Sequence, residues 1–483
     1  DTSLGPFTVC FPPTAFVIGS GGERAVMLSY WMPSSLPLFS PVGVGLVAVG
    51  VTTAALAAMR ALKSAGAGDE DGEGVVRLLE FECTMTMMDQ VAISTVTFMR
   101  GDPASASAFL SNRVGEIVAA NPWLAGRLCR GRSGYLLRWD PAKAPPSLFH
   151  AHPHDPSGPP MARGTDYEGF VEAAQRRGML LDKGQDSVGR DKGLFRVSLI
   201  PDSSDPSGRF ALVVSMCHAI ADGHTYYTIR NMLSSNRSVK ALDPRRVHTA
   251  HADSEQAMQG PGGLSRPSGW FLVNMIASVI RMHIGKRAKA AAHFIDKGYV
   301  TAKKLEAAEE GRVAYVSCND VASSAVFQAS PKAHTLLMAI NFRNKLPCIN
   351  DTHAGNYENL IMYRHPDVTS PSLIRLSVQN KKRSSSPPTT LISGPSHLGE
   401  IFSCTTNWSS FDLGLQLQGC TEDLHLPLYD YKNVTPPAFL IAIIFRPRQG
   451  ETALFSIGPD DFIQQVIASG VTGKRLDIPF RSA

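Results

Sequence analysis

Hydrophobic and polar positions set the N-terminal part of the chain apart from the rest. No Asp, Glu, Lys or Arg occurs between Arg24 and Arg60, and "VGVGLVAVGVTTAALAAM" (42–59) is an unbroken apolar run. Crossing a bilayer as a helix takes about 20 apolar residues, and the small residues of this run suit close helix contacts. We therefore predict a transmembrane helix over about 42–59, within an N-terminal segment 1–74. A buried soluble helix or a remnant of a targeting peptide is the alternative.

The charges after this run predict an orientation. Arg60 and Lys63 follow it directly, and the positive-inside tendency would place all later residues on the cytosolic or stromal side of the membrane. The expected location is thus a membrane of the endoplasmic reticulum or a plastid. The stretch "SAGAGDEDGEG" (64–74) is typical of a flexible acidic linker.

Beyond the linker, short strand-like and helix-like segments alternate, as in a mixed α/β protein. The pattern predicts two strands around a turn over 75–99 and an amphipathic helix over 105–121. Residues 193–216 predict a β-hairpin whose second strand ends just before His218. We assign 75–235 to a first lobe.

The composition of the chain changes where the second half begins. Residues 236–310 are polar, then rich in Gly and Pro, and then helical in pattern. The segment 269–295 has one apolar face followed by a basic cluster, which predicts a crossover helix packed on the body or an interfacial helix on the membrane. Strand-like segments resume with "RVAYVSC", "AHTLLMAINFR", "AFLIAIIFRPR" and "TALFSIG". We assign 311–483 to a second lobe of similar size.

Composition narrows the function classes. A chain of 483 residues with 43% hydrophobic and 18% charged residues is typical of a folded protein with more than one core-forming lobe. The net charge of +5 forms no basic stripe interleaved with aromatics, which argues against a nucleic-acid partner. The eight cysteines are scattered without a CxxC pair, which argues against a disulfide framework.

The stretch "FALVVSMCHAIADGHTYY" (210–227) carries the strongest candidate chemistry. It places His218, Asp222 and Gly223 where an apolar, strand-like run ends. A histidine held at a strand end suits general-base catalysis at neutral pH. Asp222 can fold back to fix the turn, and Gly223 permits a tight backbone. Taken alone, the same residues also fit an ordinary capped strand end.

Five segments in sequence order resemble motifs of the CoA-dependent acyltransferase superfamily. This superfamily includes BAHD acyltransferases, wax ester synthase/diacylglycerol acyltransferase enzymes and peptide-synthetase condensation domains. The segments are "NPWLAGRL" (121–128), "LFRVSLI" with "MCHAIADGHTYY" (194–227), "VSCNDVASSAVF" (316–327), "INFRNKLP" with "GNYENLI" (340–361) and "TNWSSFDLG" (406–414). The resemblance as a whole covers about residues 76–460, which is most of the chain after the N-terminal segment.

The resemblance implies two similar chloramphenicol-acetyltransferase-like lobes of α/β fold with a central channel. His218 would then be the general base that deprotonates a hydroxyl or amine, which attacks an acyl-CoA thioester directly. Asp222 would point away from the chemistry and pair with Arg343. Thr406 and Trp408 would lie beside the developing oxyanion and the acyl group.

The chain departs from the family pattern at three places. Cys217 stands where HHxxxDG enzymes have their first histidine, so the match is better to plant-type HxxxDG enzymes. Asn341 replaces the aspartate of the D-x-R motif. The family's DFGWG is "DLGLQ" (412–416) here and lies close to Trp408, which leaves the role of Asp412 open.

Two further clusters and one histidine are weaker candidates. Lys381, Lys382 and Arg383 are candidates for contacts with the CoA phosphates, with a solvated loop as the alternative. The "HAHPH" stretch (150–154) lies in a Pro-rich loop without carboxylate or cysteine partners, so we expect no metal site. We interpret His224 as a polar residue at a helix start; the alternative is that it faces the same cleft as His218.

These patterns lead us to expect a membrane-tethered O-acyltransferase that uses acyl-CoA as co-substrate. The expected acceptor is a lipophilic alcohol such as a fatty alcohol, sterol, acylglycerol or carotenoid, and a membrane protein complex is a further candidate partner. The alternative from another class is a non-catalytic scaffold subunit that retains the acyltransferase fold. Hydrolysis of an acyl thioester, with water as acceptor, is a third interpretation.

Overall fold

The strand-like segments of the chain assemble into two large β-sheets. The structure is a computed structural model that describes residues 73–143, 146–154, 161–259, 277, 288–381, 401–435 and 439–480. The predicted transmembrane span lies outside these ranges, as do Lys382 and Arg383. Within them, no helix combines the length and the apolar character needed to cross a bilayer.

The elements of the described residues confirm the mixed α/β class. The strands are β1 (Val75–Arg77), β2 (Ile93–Arg100), β3 (Arg127–Arg130), β4 (Tyr135–Arg138), β5 (Phe149–Ala151), β6 (Phe195–Asp202), β7 (Asp205–Met216), β8 (Lys289–Ile295), β9 (Ala333–Asn341), β10 (Glu358–Tyr363), β11 (Ile401–Asn407), β12 (Thr421–Pro427), β13 (Phe439–Phe445), β14 (Ala453–Gly458) and β15 (Thr472–Arg475). The α-helices are α1 (Met85–Met88), α2 (Pro103–Ala120), α3 (Tyr167–Arg176), α4 (Gly184–Ser187), α5 (Gly223–Asn231), α6 (Ala250–Gln259), α7 (Lys297–Glu310), α8 (Cys318–Gln328), α9 (Pro371–Asn380), α10 (Tyr431–Val434) and α11 (Asp460–Ala468).

The first sheet has the strand order β12-β2-β7-β6-β5. Its centre is the hairpin β6–β7, which pairs Phe195 with Met216 and confirms the hairpin predicted over 193–216. The side chains of 210–216 are all buried, because both faces of this central strand are covered. The edge strand β12 comes from the C-terminal half of the chain and pairs antiparallel with β2. A separate small sheet has the order β1-β4-β3.

The second sheet has the order β10-β9-β11-β13-β14-β8-β15. Its strand β8 falls within the range 236–310, where the sequence pattern predicts a helix followed by a basic cluster. The predicted strand "RVAYVSC" is wrong, because Ser317 and Asp320 form a capping box that starts α8 there. The two-strand prediction over 75–99 also misses α1, which lies between β1 and β2.

The two faces of the second sheet have different partners. One face packs on α7, α8, α9 and α11 through a core that includes Phe327, Leu336 and Phe462. The opposite face, at β13, β14 and β8, packs against the first sheet through residues such as Val213 and Phe455. The strands β10, β9 and β11 extend beyond this shared core. On this part of the face, Ala339, Asn341, Glu358 and Thr406 line a small cavity, whereas Leu337 and Phe402 are buried.

A buried polar cluster joins the first sheet to the turn after β11. Arg230 on α5 donates from Nη1 to Asp412 Oδ1 at 2.7 Å and from Nη2 to Thr97 Oγ1 at 2.9 Å. His425 on β12 lies 2.9 Å from Arg230 and 3.1 Å from the Tyr227 hydroxyl. Asp412, whose role the sequence leaves open, is thus half of a buried ion pair that fixes the fold.

This cluster predicts an acid-sensitive fold. Burial, and then Arg230, lower the pKa of His425 to about 3. Below about pH 6.5 a proton binds to His425 in the unfolded chain but not in the folded protein. The free energy of unfolding should therefore decrease as the pH decreases, by up to about 1.4 kcal/mol per pH unit from this group. His425→Gln should have a shallower decline between pH 6.5 and pH 5 in urea unfolding. His334→Gln, at an exposed site, should keep the wild-type slope; equal slopes in all three proteins would contradict the prediction.

Candidate active site

His218 lies directly after the buried strand β7, in the turn that leads to α5. The Cys217 N–H donates to the Leu194 carbonyl at 2.8 Å, which continues the pairing of the sheet up to this residue. The His218 carbonyl accepts from Asn356 Nδ2 at 2.9 Å. The backbone of His218 is therefore held from the first sheet on one side and from the second lobe on the other.

The imidazole of His218 is kept uncharged. Burial lowers its pKa below the ordinary value of 6.5, although its own carbonyl, Asp222 and Asn356 act in the opposite direction. The Nδ1 atom is buried, which leaves Nε2 as the nitrogen that can face an acceptor. A neutral imidazole with one accessible nitrogen can accept a proton at pH 7.

Asp222 does not face His218 but holds the turn together. Its Oδ1 accepts from the Thr225 N–H at 2.9 Å, so Asp222 is the N-cap of α5. Its Oδ2 accepts from Arg343 Nη1 at 2.6 Å and from the Tyr357 N–H at 2.9 Å. The Asp222 and Arg343 side chains are 1% and 0% exposed. The pair predicted from the motifs is present and joins the two lobes.

A second buried ion pair, which the sequence does not indicate, supports the same turn. Glu82 Oε2 accepts from Arg246 Nε at 2.9 Å, and both side chains are fully buried. Arg246 Nη2 donates to the Ile220 carbonyl at 2.9 Å. Glu82 Oε1 accepts from the backbone and side-chain nitrogens of Asn356 at 2.9 and 3.0 Å. The carbonyls of His218 and Ile220 are thus both fixed by this network.

Gly355 is the glycine that this network requires. It has φ of +136°, and a Cβ there would lie 2.9 Å from Arg246 Cζ. Gly223, in contrast, does not have a positive φ, and its Cβ would lie an ordinary 3.7 Å from Trp408. The expected need for a tight glycine backbone at Gly223 is wrong, because Asp222 takes the extended N-cap conformation and Gly223 simply begins α5.

Thr406 lies at the end of β11, beside a small cavity of about 30 Å³. The residues that line the cavity are Asp222, His224, Ala339, Asn341, Glu358, Thr406, Asn407 and Phe411. His224 lies in the first turn of α5, as the sequence predicts, and it also lines this cavity. Its Nε2 lies 3.3 Å from Asp351 Oδ1. Trp408 packs edge-to-face on Tyr227 instead, with ring centroids 6.1 Å apart.

His218, Trp408 and the remaining candidates are not among the residues that line this cavity. Lys381 ends α9 in the left-handed conformation, with φ of 58°, and its charge contributes to lowering the pKa of Lys345 after the larger effect of burial. His150 lies on β5 and His152 just after it. Among the residues that the structure describes, no group of three or more His, Cys, Asp or Glu side chains is arranged to hold a metal ion.

Solved structures of other proteins have a similar fold. Polyketide synthase associated protein 5 from Mycobacterium tuberculosis is 13% identical, with a TM-score of 0.52, over 83% of this chain and 98% of that one. F. graminearum TRI101 complexed with coenzyme A and T-2 mycotoxin is 12% identical, with a TM-score of 0.51, over 82% and 97%. The first condensation domain of the calcium-dependent antibiotic synthetase is 12% identical, with a TM-score of 0.52, over 84% and 98%.

This chain has the mixed α/β fold of these structures. No protein-family model matches the chain, and no curated protein matches its sequence. The resemblance carried by the five motifs is therefore confirmed at the level of the fold.

The ion pair between Asp222 and Arg343 predicts a large effect on stability. Arg343→Ala should lower the free energy of unfolding by about 3–5 kcal/mol, because it leaves the Asp222 carboxylate buried without its partner. Arg245→Ala is the matched control: its side chain is 77% exposed where it pairs with Asp243, so the loss should be below about 1 kcal/mol. Urea unfolding of both variants measures the difference, and similar losses would refute the prediction.

Proposed function

We propose that this protein is an acyl-CoA-dependent O-acyltransferase in which His218 is the general base. The observation that carries the proposal is a neutral histidine at the end of a buried strand, with its turn fixed by buried ion pairs to Arg343 and Arg246. A base must be held within hydrogen-bond reach of the proton that it takes. Rigid support of this kind serves that purpose.

The reaction needs no nucleophilic side chain. His218 Nε2 takes the proton of the acceptor hydroxyl while the hydroxyl oxygen attacks the thioester carbonyl. The tetrahedral intermediate then collapses, the carbon–sulfur bond breaks, and CoA leaves as a thiolate that takes the proton from the imidazolium. The products are an ester and free CoA thiol, and His218 returns to its neutral form.

Thr406 is the proposed hydrogen-bond donor to the oxyanion of the intermediate. It lies at the end of β11, where its side chain borders the cavity. A preorganised donor at this position contributes about 3 kcal/mol to stabilisation of the transition state. Trp408, which packs against Tyr227, would hold the acyl group.

An apolar row beyond Thr406, in which Leu337 and Phe402 are buried, is the proposed contact for a lipophilic substrate. On the same face of the second sheet, Cys404 pairs with Leu337, and Leu337 pairs with Met362. Phe402 and Phe439 stack with centroids 5.1 Å apart at the far end of this row. The polar groups and the apolar row thus follow one another along one face, as a hydroxyl or thioester on a long apolar chain would require.

Acyl-CoA is the proposed donor, and it would enter a central channel between the lobes. TRI101, which has this fold, is complexed with coenzyme A in its solved structure. Lys381, Lys382 and Arg383 remain the proposed contacts for the CoA phosphates. Lys and Arg side chains form charge-assisted hydrogen bonds with phosphate oxygens.

A non-catalytic scaffold is the second candidate function. The cavity beside Thr406 holds about 30 Å³, whereas pockets for small-molecule ligands hold about 300–1,000 Å³. A site closed to this extent favours a scaffold that keeps the acyltransferase fold. Measurement of turnover distinguishes an enzyme from a scaffold. If water replaces the alcohol as acceptor, the reaction is hydrolysis of the acyl thioester.

The enzyme function predicts a large loss on removal of the base. His218→Ala should lower release of free thiol from octanoyl-CoA by about two to four orders of magnitude, with a panel of lipophilic alcohols as acceptors. In the wild type, kcat/KM should fall on the acid side with an apparent pKa below 6.5, because the base must be neutral. His334→Ala, at an exposed site, should keep wild-type rates. Equal rates in wild type and His218→Ala, or no thiol release with any acceptor, would favour the scaffold.

The N-terminal segment is the proposed membrane tether, with the lobes on the cytosolic or stromal side. The full chain should float with phosphatidylcholine vesicles in a density gradient at 1 M salt, since an inserted helix does not depend on charge. A chain that lacks residues 1–72 should stay at the bottom of the gradient. Flotation of both proteins would show that the membrane contact lies outside residues 1–72. Flotation of neither protein would contradict the proposed tether.

A further inference from the structure

A carboxylic acid without a partner among the described residues lines the cavity beside Thr406. Glu358 is on β10, directly opposite Asn341 of β9. Its side chain lines the same cavity as Thr406 and His224. The carboxyl makes no hydrogen bond or ion pair with any residue that the structure describes. The chemistry of the proposed reaction does not use this group.

The surroundings of Glu358 favour its uncharged form. Burial, and then the Asp222 carboxylate, raise its pKa to about 8, although Arg343 acts in the opposite direction. Burial and Arg343 lower the pKa of His224, so this ring supplies no positive charge at pH 7. The Cys404 thiol, with its pKa raised to about 12, is also neutral. Glu358 therefore presents a neutral acid to the cavity at pH 7.

A neutral carboxylic acid has one O–H donor and a carbonyl acceptor. The cavity of about 30 Å³ is large enough for roughly two water-sized groups. A hydroxyl or carbonyl oxygen of a ligand therefore fits this space and would complete the hydrogen bonding of Glu358.

We propose that Glu358 is a substrate-recognition residue that donates a hydrogen bond to an uncharged oxygen, a hydroxyl or a carbonyl, of a substrate seated between Thr406 and His224. The inference rests on the proposed function, since it treats the cavity as part of the substrate site. The oxygen has two candidate sources: an amide or hydroxyl of the pantetheine arm of acyl-CoA, or the alcohol acceptor.

Calorimetric binding tests the proposal without the need for turnover. Octanoyl-CoA and 1-octanol are titrated separately into the full-length wild type, Glu358→Gln and Glu358→Ala at pH 7 and pH 9. Loss of the donor in Glu358→Ala should weaken binding of one probe about 5- to 10-fold at pH 7. Glu358→Gln keeps an N–H donor and should remain within about twofold of the wild type. The probe that is affected identifies the source of the oxygen.

The pH dependence separates recognition from a structural role. Above about pH 8 Glu358 loses its proton, and with it the donor, while a second carboxylate appears beside Asp222. Wild-type affinity for the affected probe should therefore fall at pH 9 by a similar factor. Glu358→Gln has no proton to lose and should bind equally well at both pH values. Thermal melting of each variant checks that the fold is intact.

Three outcomes would overturn the inference. Binding of both probes by Glu358→Ala with wild-type affinity is the first, and an equal fall in affinity at pH 9 in the wild type and Glu358→Gln is the second. Wild type that binds neither probe would also overturn it. If the expected differences appear but no thiol is released in turnover assays, the acyltransferase proposal fails while recognition by Glu358 stands.

Discussion

The ion pair between Asp222 and Arg343 is the constraint on which the site depends. A buried pair of this kind adds little net stability, since desolvation offsets its attraction. Its effect is on position: Asp222 caps a helix of the first lobe, and Arg343 follows a strand of the second. The turn that carries His218 therefore takes its shape only when both lobes are in place, which couples the formation of the site to the assembly of the whole fold.

The second sheet divides its functions along one face. The strands in its middle and at one edge bury that face against the first sheet and form the common core. The strands at the other edge keep the same face for the polar groups that line the cavity and for a buried apolar row farther out. A single alternation of side chains thus provides both cohesion between the lobes and a surface for a ligand. The width of the sheet, seven strands against five, makes this division possible.

Local patterns predicted the elements but not their long-range partners. The hairpin β6–β7 and the strands β9, β13 and β14 follow from alternation, which is a local signal. The segment before α8 alternates in the same way, but a capping box at Ser317 overrides the pattern. Glu82, Arg246 and Asn356 meet only through tertiary contacts, so no spacing in the sequence reveals them. Asp222 and Arg343 were found through family motifs, which record such contacts indirectly.

The edge strand β12 has a consequence for how the protein forms. Its residues complete the first sheet, yet Thr97 and His425, which hydrogen-bond across β2 and β12, are 328 positions apart. During synthesis, the free edge of β2 therefore remains unpaired until nearly the whole chain has emerged from the ribosome. Contacts of such long range slow folding and leave strand edges open to aggregation. The first sheet is therefore complete only after residues 421–427 have been synthesised.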